Sequence, residues 1–303
     1  MEPCSKAQGY KAVTYMPKLY SHPITQSHRS AIIFCIDCST SMQERVTFNN
    51  RQYSKAEIAT LFTNIMIDEL YIRSSRYNRT RNYYDIAVIG YGEGGAFPML
   101  DSKDISFMPI TDLNRNMPEE QVYCFTHIIN GKEHDVSFIV HPWIKPIAQG
   151  KTPMYEALTE AYRLVEKWCS KRCNRASFPP MVFNITDGES TDSRPIELMS
   201  IANNIKNTGT RNGNTLMINA HIGCLDEEKP LLFPRAFDNF NYSLYSHLLY
   251  HMSSIVPPNI EPLLPPEERF IESSLERRLM TLNASPYDLL NIIHIGSESI
   301  QNL

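Results

Sequence analysis

The chain has 303 residues, with 29 Lys plus Arg against 33 Asp plus Glu, a formal net charge of −4, 42% hydrophobic residues and 20% charged ones. This composition describes a globular protein long enough to bury a real core and excludes fibrous, collagen-like and extensively disordered classes. The charge balance gives no overall attraction for nucleic acid or an anionic membrane, and an odd count of seven Cys fits reduced thiols better than a disulfide framework.

Residues 1–29 show no sustained period and read as an irregular arm or edge segment. The run Ala31-Ile32-Ile33-Phe34-Cys35-Ile36 is apolar throughout and stops at Asp37, as expected for a central strand covered on both faces. Over 55–76, Ile58, Leu61, Phe62, Ile65, Met66 and Ile72 recur at spacings of three and four and predict a helix. A second short strand over 85–89 is closed by Gly90, Gly92, Gly94 and Gly95. Residues 122–129 and 136–140 flank Asn130-Gly131, a pair that supplies the positive φ angles of a tight turn, so a β-hairpin is expected, inserted over about 114–147.

Pro153 stands at the start of a helix expected over 153–170. A strand over 181–185, a helix over 195–206 and a strand over 215–222 follow. Beyond these, helices are expected over 243–252 and 267–282, with a short apolar element over 289–295. The alternation predicts an α/β protein with a Rossmann-like, doubly wound, mostly parallel central sheet, helices on both faces, a hairpin insertion and a C-terminal extension. The expected organisation is an arm over 1–29, one domain over 30–225 and an extension over 226–303 packed on it.

Asp37-Cys38-Ser39-Thr40-Ser41 follows the first central strand, Asp187 follows the strand over 181–185, and Thr152 precedes a helix in another loop. In open α/β sheets, ligands bind outside the carboxyl ends of the strands, so these segments should converge on one crest. Two partly desolvated carboxylates there would repel unless a cation sat between them. The donors Asp37, Ser39, Ser41, Thr152 and Asp187 are all hard oxygens, which favours Mg²⁺, or Mn²⁺ or Ca²⁺, over Zn²⁺. Because three of the five are neutral, the cation's charge would stay incompletely compensated. An open position should therefore attract an Asp or Glu of a partner protein.

These residues resemble the von Willebrand factor A domains, whose metal-ion-dependent adhesion site has the pattern Asp-x-Ser-x-Ser, a distant Thr and a distant Asp. The resemblance spans about residues 28–225. It implies that Asp37, Ser39 and Ser41, then Thr152 in Gly150-Lys151-Thr152-Pro153, then Asp187 in Thr186-Asp187-Gly188, hold the ion, the hydroxyls directly and the acids often through water. Thr40 stands where the family usually has Gly, and Lys151 replaces a common Gly. The segment Met252-Ser253-Ser254-Ile255-Val256-Pro257 is similar to bacterial intracellular members, often linked to kinase, phosphatase or ATPase systems. The resemblance thus implies a non-enzymatic, metal-dependent adaptor in a signalling, stress or defence assembly. The alternatives are a metal-dependent phosphatase or hydrolase, for which no general base is evident, and a structural subunit with an empty site.

Other signals carry less. Gly90-Tyr91-Gly92-Glu93-Gly94-Gly95 formally satisfies G-x-G-x-x-G but lacks a helix behind it to hold a pyrophosphate, so it reads as a turn. Cys35 and Cys38 form a C-x-x-C in which Cys35 reads as a strand filler, and Cys169 with Cys173 stands at helical spacing. His127, His134, His141 and His221 read as surface or hydrogen-bonded core residues. The Arg73, Arg76, Arg79, Arg81 cluster reads as a solvated helix C-terminus rather than a nucleic-acid contact. No apolar run approaches a membrane span and no signal-peptide core is seen near the N-terminus, so a cytoplasmic location is expected.

Overall fold

The computed structural model describes residues 19–48, 51–77, 79–129, 132–223, 230–235, 244–261 and 276–284. The elements that position the crest are β1 (Ser30–Asp37), α1 (Lys55–Ser74), β2 (Tyr84–Gly92), β3 (Gly95–Pro98), β4 (Gln121–Ile129), β5 (Lys132–Val140), α2 (Met154–Ser170), β6 (Met181–Thr186), α3 (Pro195–Asn207), β7 (Leu216–His221), β8 (Leu231–Leu232), α4 (Leu244–Met252) and β9 (Met280–Leu282). One sheet runs in the order β8-β9-β7-β6-β1-β2-β3. Strands β9, β7, β6, β1 and β2 are parallel, while β3 and β8 return antiparallel at the two edges.

Every residue of β1 is buried because the strand lies mid-sheet with helices on both faces. Ile32, Phe34 and Ile36 pack in one core with Ile58, Phe62 and Ile65 of α1, and Ile33 and Cys35 pack in the other with Ala157 and Ala161 of α2 and Leu198 of α3. The chain therefore leaves β1 toward one face and leaves the adjacent β6 toward the other. Such a reversal opens a crevice at the carboxyl ends of β1 and β6, and that is where Asp37 and Asp187 stand.

Helix α1 starts from a capping box in which the Ser54 hydroxyl accepts from Glu57 N at 3.1 Å and Ser54 N donates to Glu57 Oε2 at 2.6 Å. It is buried nearly all round because the β4–β5 hairpin and its exit cover the outer side. Asn64 bonds Ile144 O and N, at 3.1 Å each. Asp68 accepts from His141 Nδ1 at 2.9 Å and Trp143 Nε1 at 2.8 Å. Burial pushes the Asp68 carboxyl above its ordinary value despite these donors.

A fully buried polar chain crosses the sheet beneath the crest. Tyr91 Oη donates to Asn184 Oδ1 at 2.9 Å, Asn184 Nδ2 to Asn219 Oδ1 at 3.0 Å, and Asn219 Nδ2 to Ser253 Oγ at 2.9 Å. Cys35, on the strand between Tyr91 and Asn184, is small enough for the ring to reach across it. Its thiol, pushed up to about 12 by burial, is a neutral filler.

Several expectations are corrected. The segment expected to be helical over 267–282 contains strand β9 at its end, paired with β7 and β8; its residues 267–275, and the element expected over 289–295, lie outside the described residues. The Gly-rich stretch does not close β2: the strand continues to Gly92 and folds back as β3, with Gly94 at φ +83° in the turn and Gly95 at φ +102° opening β3. Ile72 is 60% exposed rather than part of the buried face. Helix α1 ends at Ser74, so Arg76 and Arg79 pair in a small hairpin beyond it, while Arg73 binds Glu69 at 2.6 Å.

Candidate functional site

The loop after β1 turns at once into a short 3₁₀ segment over Thr40–Gln43. Asp37, 1% exposed, is held by two donors: Ser39 N reaches its Oδ1 at 2.9 Å and Thr186 Oγ1 its Oδ2 at 2.7 Å. Burial dominates its titration and pushes the carboxyl up to about 6, with Asp187 adding to the rise and the Ser39 and Thr186 bonds opposing it. The same charge, together with burial, holds the Tyr91 phenol well above its ordinary value, so Tyr91 stays a neutral donor under the crest.

The Ser41 hydroxyl sits between two partners. It lies 2.9 Å from Ser39 Oγ and donates to Asp187 Oδ1 at 2.8 Å. Thr152 joins through its backbone: its N–H donates to Thr191 Oγ1 at 2.9 Å and its carbonyl accepts from Thr191 N at 3.0 Å. Among the described residues its hydroxyl bonds none of the other four. The segments that carry Asp37, Ser39, Ser41 and Asp187 thus meet at one crest, with Ser39, Ser41 and Asp187 in direct contact and Asp37 bonded to Ser39 N, while the segment that carries Thr152 is tied to the loop after β1 through Gly150.

Thr40, where the resemblance would place a glycine, clamps two of these loops together. Its N–H and hydroxyl both donate to Gly150 O, at 3.0 and 3.1 Å, and the hydroxyl accepts from Gly150 N at 3.0 Å. Gly150 adopts φ +87°, and a Cβ there would lie 2.5 Å from the Glu93 backbone. Gln149 N bonds Cys38 O at 2.7 Å and Glu93 N bonds Gln149 O at 2.9 Å, so the loops after β1 and β2 and the loop before α2 share one backbone mesh.

Sequence reasoning missed Lys55, the first residue of α1. Its ammonium lies 3.1 Å from Asp187 Oδ2 and 2.5 Å from Glu44 Oε2, and the Lys55 and Asp187 side chains are only 9% and 2% exposed. Burial pulls the ammonium down, but Glu44 and Asp187 outweigh burial and hold it above the ordinary lysine value. The signal was present: a cation in a helix's first turn opposes the macrodipole and needs acids nearby. Thr186, which orients Asp37, was also missed, although its place immediately before Asp187 gave it away.

Adjacent ligands of Mg²⁺, bound at about 2.0–2.1 Å in an octahedron, stand about 2.9–3.0 Å apart. The Ser39–Ser41 and Ser41–Asp187 separations of 2.9 and 2.8 Å are hydrogen-bond lengths that also lie near that spacing, so these oxygens could serve as neighbouring ligands without moving far. Among the described residues no three His, Cys, Asp or Glu side chains gather closely enough to hold a metal, so any cation here needs the hydroxyls as ligands.

No protein-family model and no curated protein matches the chain. Solved structures do. One is a von Willebrand factor type A protein from Catenulispora acidiphila, 16% identical, TM-score 0.39, covering 65% of this chain and 34% of that one. Another is the SpRpn10 VWA domain, 11% identical, TM-score 0.36, covering 75% and 83%. Both are von Willebrand factor A structures. A third, an uncharacterized membrane spanning protein from Vibrio fischeri, is 12% identical with a TM-score of 0.26, covering 74% and 85%. This chain spans about a third of the length of the first. No described helix here is long and apolar enough to cross a membrane.

Proposed function

We propose that the crest is a protein-recognition site that works through a divalent cation, Mg²⁺ in the first instance. Ser39, Ser41 and Asp187 are its nearest ligands, with Asp37 and Thr152 completing the donor set directly or through water. The observation that carries this reading is the position of Ser41 Oγ, between Ser39 Oγ and Asp187 Oδ1 at the spacing of adjacent ligands. When bound, such an ion supplies a Lewis-acidic position for an anionic oxygen. With Asp37, Asp187 and Glu44 opposed by Lys55, a divalent ion brings the crest to about neutrality, and the open position on the ion takes an Asp or Glu from a partner protein. The role proposed for the ion is a binding one.

Isothermal titration tests the reading: the parent chain should bind Mg²⁺ or Mn²⁺, and Asp37→Ala should abolish the heat. Capture from lysate should then recover partners with Mg²⁺ that chelator releases and excess free glutamate competes away. Absence of metal heat in the parent protein would falsify the proposal. One observation favours a second reading, a crest held by Lys55 as its own resident cation with no metal, and the Lys55 variant described in the Discussion separates the two.

A further inference from the structure

The opposite pole of the sheet carries a basic concavity with no part in the crest. It has a volume of about 600 Å³ and is lined by His28, Arg172, Cys173, Arg175, Ala176 and Arg211. These residues come from the segments that lead into β1, β6 and β7, at the amino ends of the parallel strands. The length of β1 separates them from Asp37 by roughly 20 Å or more.

Three guanidinium groups around one hollow repel one another, and on a chain of net charge −4 such crowding calls for a reason. Among the described residues none of the three forms an ion pair or donates a side-chain hydrogen bond, and no acid lines the hollow. The backbone holds them in place regardless. Arg211 N donates to Arg175 O at 2.8 Å, Thr210 Oγ1 to Ser177 O at 2.7 Å, and the buried Asn174 Nδ2 to Trp168 O at 2.9 Å. The guanidinium-bearing segments are thus locked side by side before any ligand arrives, which lowers the ordering penalty of binding.

Arginine's planar fork matches phosphate oxygens two at a time, and a hollow of this size falls in the range of small-molecule sites, about 300–1,000 Å³. Apart from the His28 imidazole no aromatic face lines it, so charge rather than stacking of a base would dominate recognition. We infer that this concavity binds a small, multiply charged phosphate compound through Arg172, Arg175 and Arg211.

The test is isothermal titration of the full chain with sodium tripolyphosphate and, separately, with ATP, both in chelator so that the crest takes no part. Tripolyphosphate should bind, should bind at least tenfold more weakly in an Arg175→Ser/Arg211→Ser double variant, and should weaken as salt rises from 50 to 200 mM. Arg163→Ser, which removes an arginine elsewhere on the surface, and Asp37→Ala should leave the binding unchanged. Arg175→Lys/Arg211→Lys should recover part of it. ATP binding no more tightly than tripolyphosphate assigns the phosphate chain as the recognised group. ATP binding more tightly, and still lost in the double variant, assigns a nucleotide to the same hollow. Because Arg175 and Arg211 are exposed, the double variant should keep the parent's melting temperature. Failure of tripolyphosphate to bind, or binding indifferent to the two arginines, overturns the inference.

Discussion

The Lys55 ammonium lies 3.1 Å from one oxygen of Asp187 while the Ser41 hydroxyl holds the other at 2.8 Å. Asp187 is therefore shared between a resident cation and the proposed metal ligands. Replacing the ammonium with an apolar stem, Lys55→Met, removes positive charge from the crest. Mg²⁺ affinity should rise at least tenfold, about 1.4 kcal/mol. In chelator the same variant leaves Asp187 buried without its partner, and stability should fall by about 3–5 kcal/mol. Melting curves with and without Mg²⁺ check both effects. Loss of stability that Mg²⁺ does not repair would leave Lys55 as the only cation the crest accepts.

Thr40 supplies side-chain bonds to both the N–H and the carbonyl of Gly150. Thr40→Val keeps the shape and removes both, while the Thr40 N–H still reaches the Gly150 carbonyl and water can reach the exposed Gly150 N–H. The expected loss is about 0.5–1.5 kcal/mol of stability. Mg²⁺ affinity should drop as well, because the loops that carry Ser39 and Thr152 are tied together less tightly. Urea unfolding and titration of the same sample measure the two; unchanged affinity would detach the clamp from the site.

The Tyr91–Asn184–Asn219–Ser253 chain has no exposed member. Asn219→Leu strips a partner from both Asn184 and Ser253; Ser253 Oγ keeps its 2.7 Å bond to Leu249 O, so the variant should destabilise by about 1–3 kcal/mol through the Asn184 amide left without its acceptor, while leaving Mg²⁺ affinity unchanged in the folded fraction. Denaturant midpoints give the first quantity and titration the second.

Lys206 provides a pH test. Burial, aided by Arg278, lowers its ammonium to about 8, although Nζ donates to His251 O at 2.9 Å. Between about 8 and the unfolded value of about 10.4, the unfolded chain holds the proton more tightly than the folded one. Stability linked to this group therefore rises with pH across that window, and the burden of the charge is complete below it. Relative to the parent, Lys206→Met should be most favoured at pH 7 and should lose that advantage steadily from pH 8 to 10. A difference in melting temperature that stays flat with pH would contradict the assignment.

The central strands were legible because burial on both faces demands apolar runs, unbroken in Ile32 to Ile36 and interrupted by Asn184 alone in Met181 to Ile185. The inserted hairpin was legible from its Asn-Gly pair, and the crest from acids and hydroxyls placed just past strand ends. What escaped depended on neighbours distant in sequence. Three residues, Met280 to Leu282, become a strand only because β7 offers them an edge, and so short a run has no period to read. Ile72 keeps the helical spacing yet faces outward, because Tyr71 and Ser74 of the same turn take the inward positions. Lys55 meets Asp187 only because the fold brings the two together across 132 positions of chain.

The buried amide chain also governs alignment. Asn184 and Asn219 are directly opposed, and Asn184 is opposed in turn by Cys35. Sliding β6 by one place would turn its amide to the opposite face of the sheet, and sliding by two would carry Asp187 about 6.6 Å along the strand, beyond the grasp of Ser41. Each misalignment strands an amide in oil. Two asparagines thus act as a ratchet tooth, admitting the single setting of the strands in which the crest's oxygens can meet.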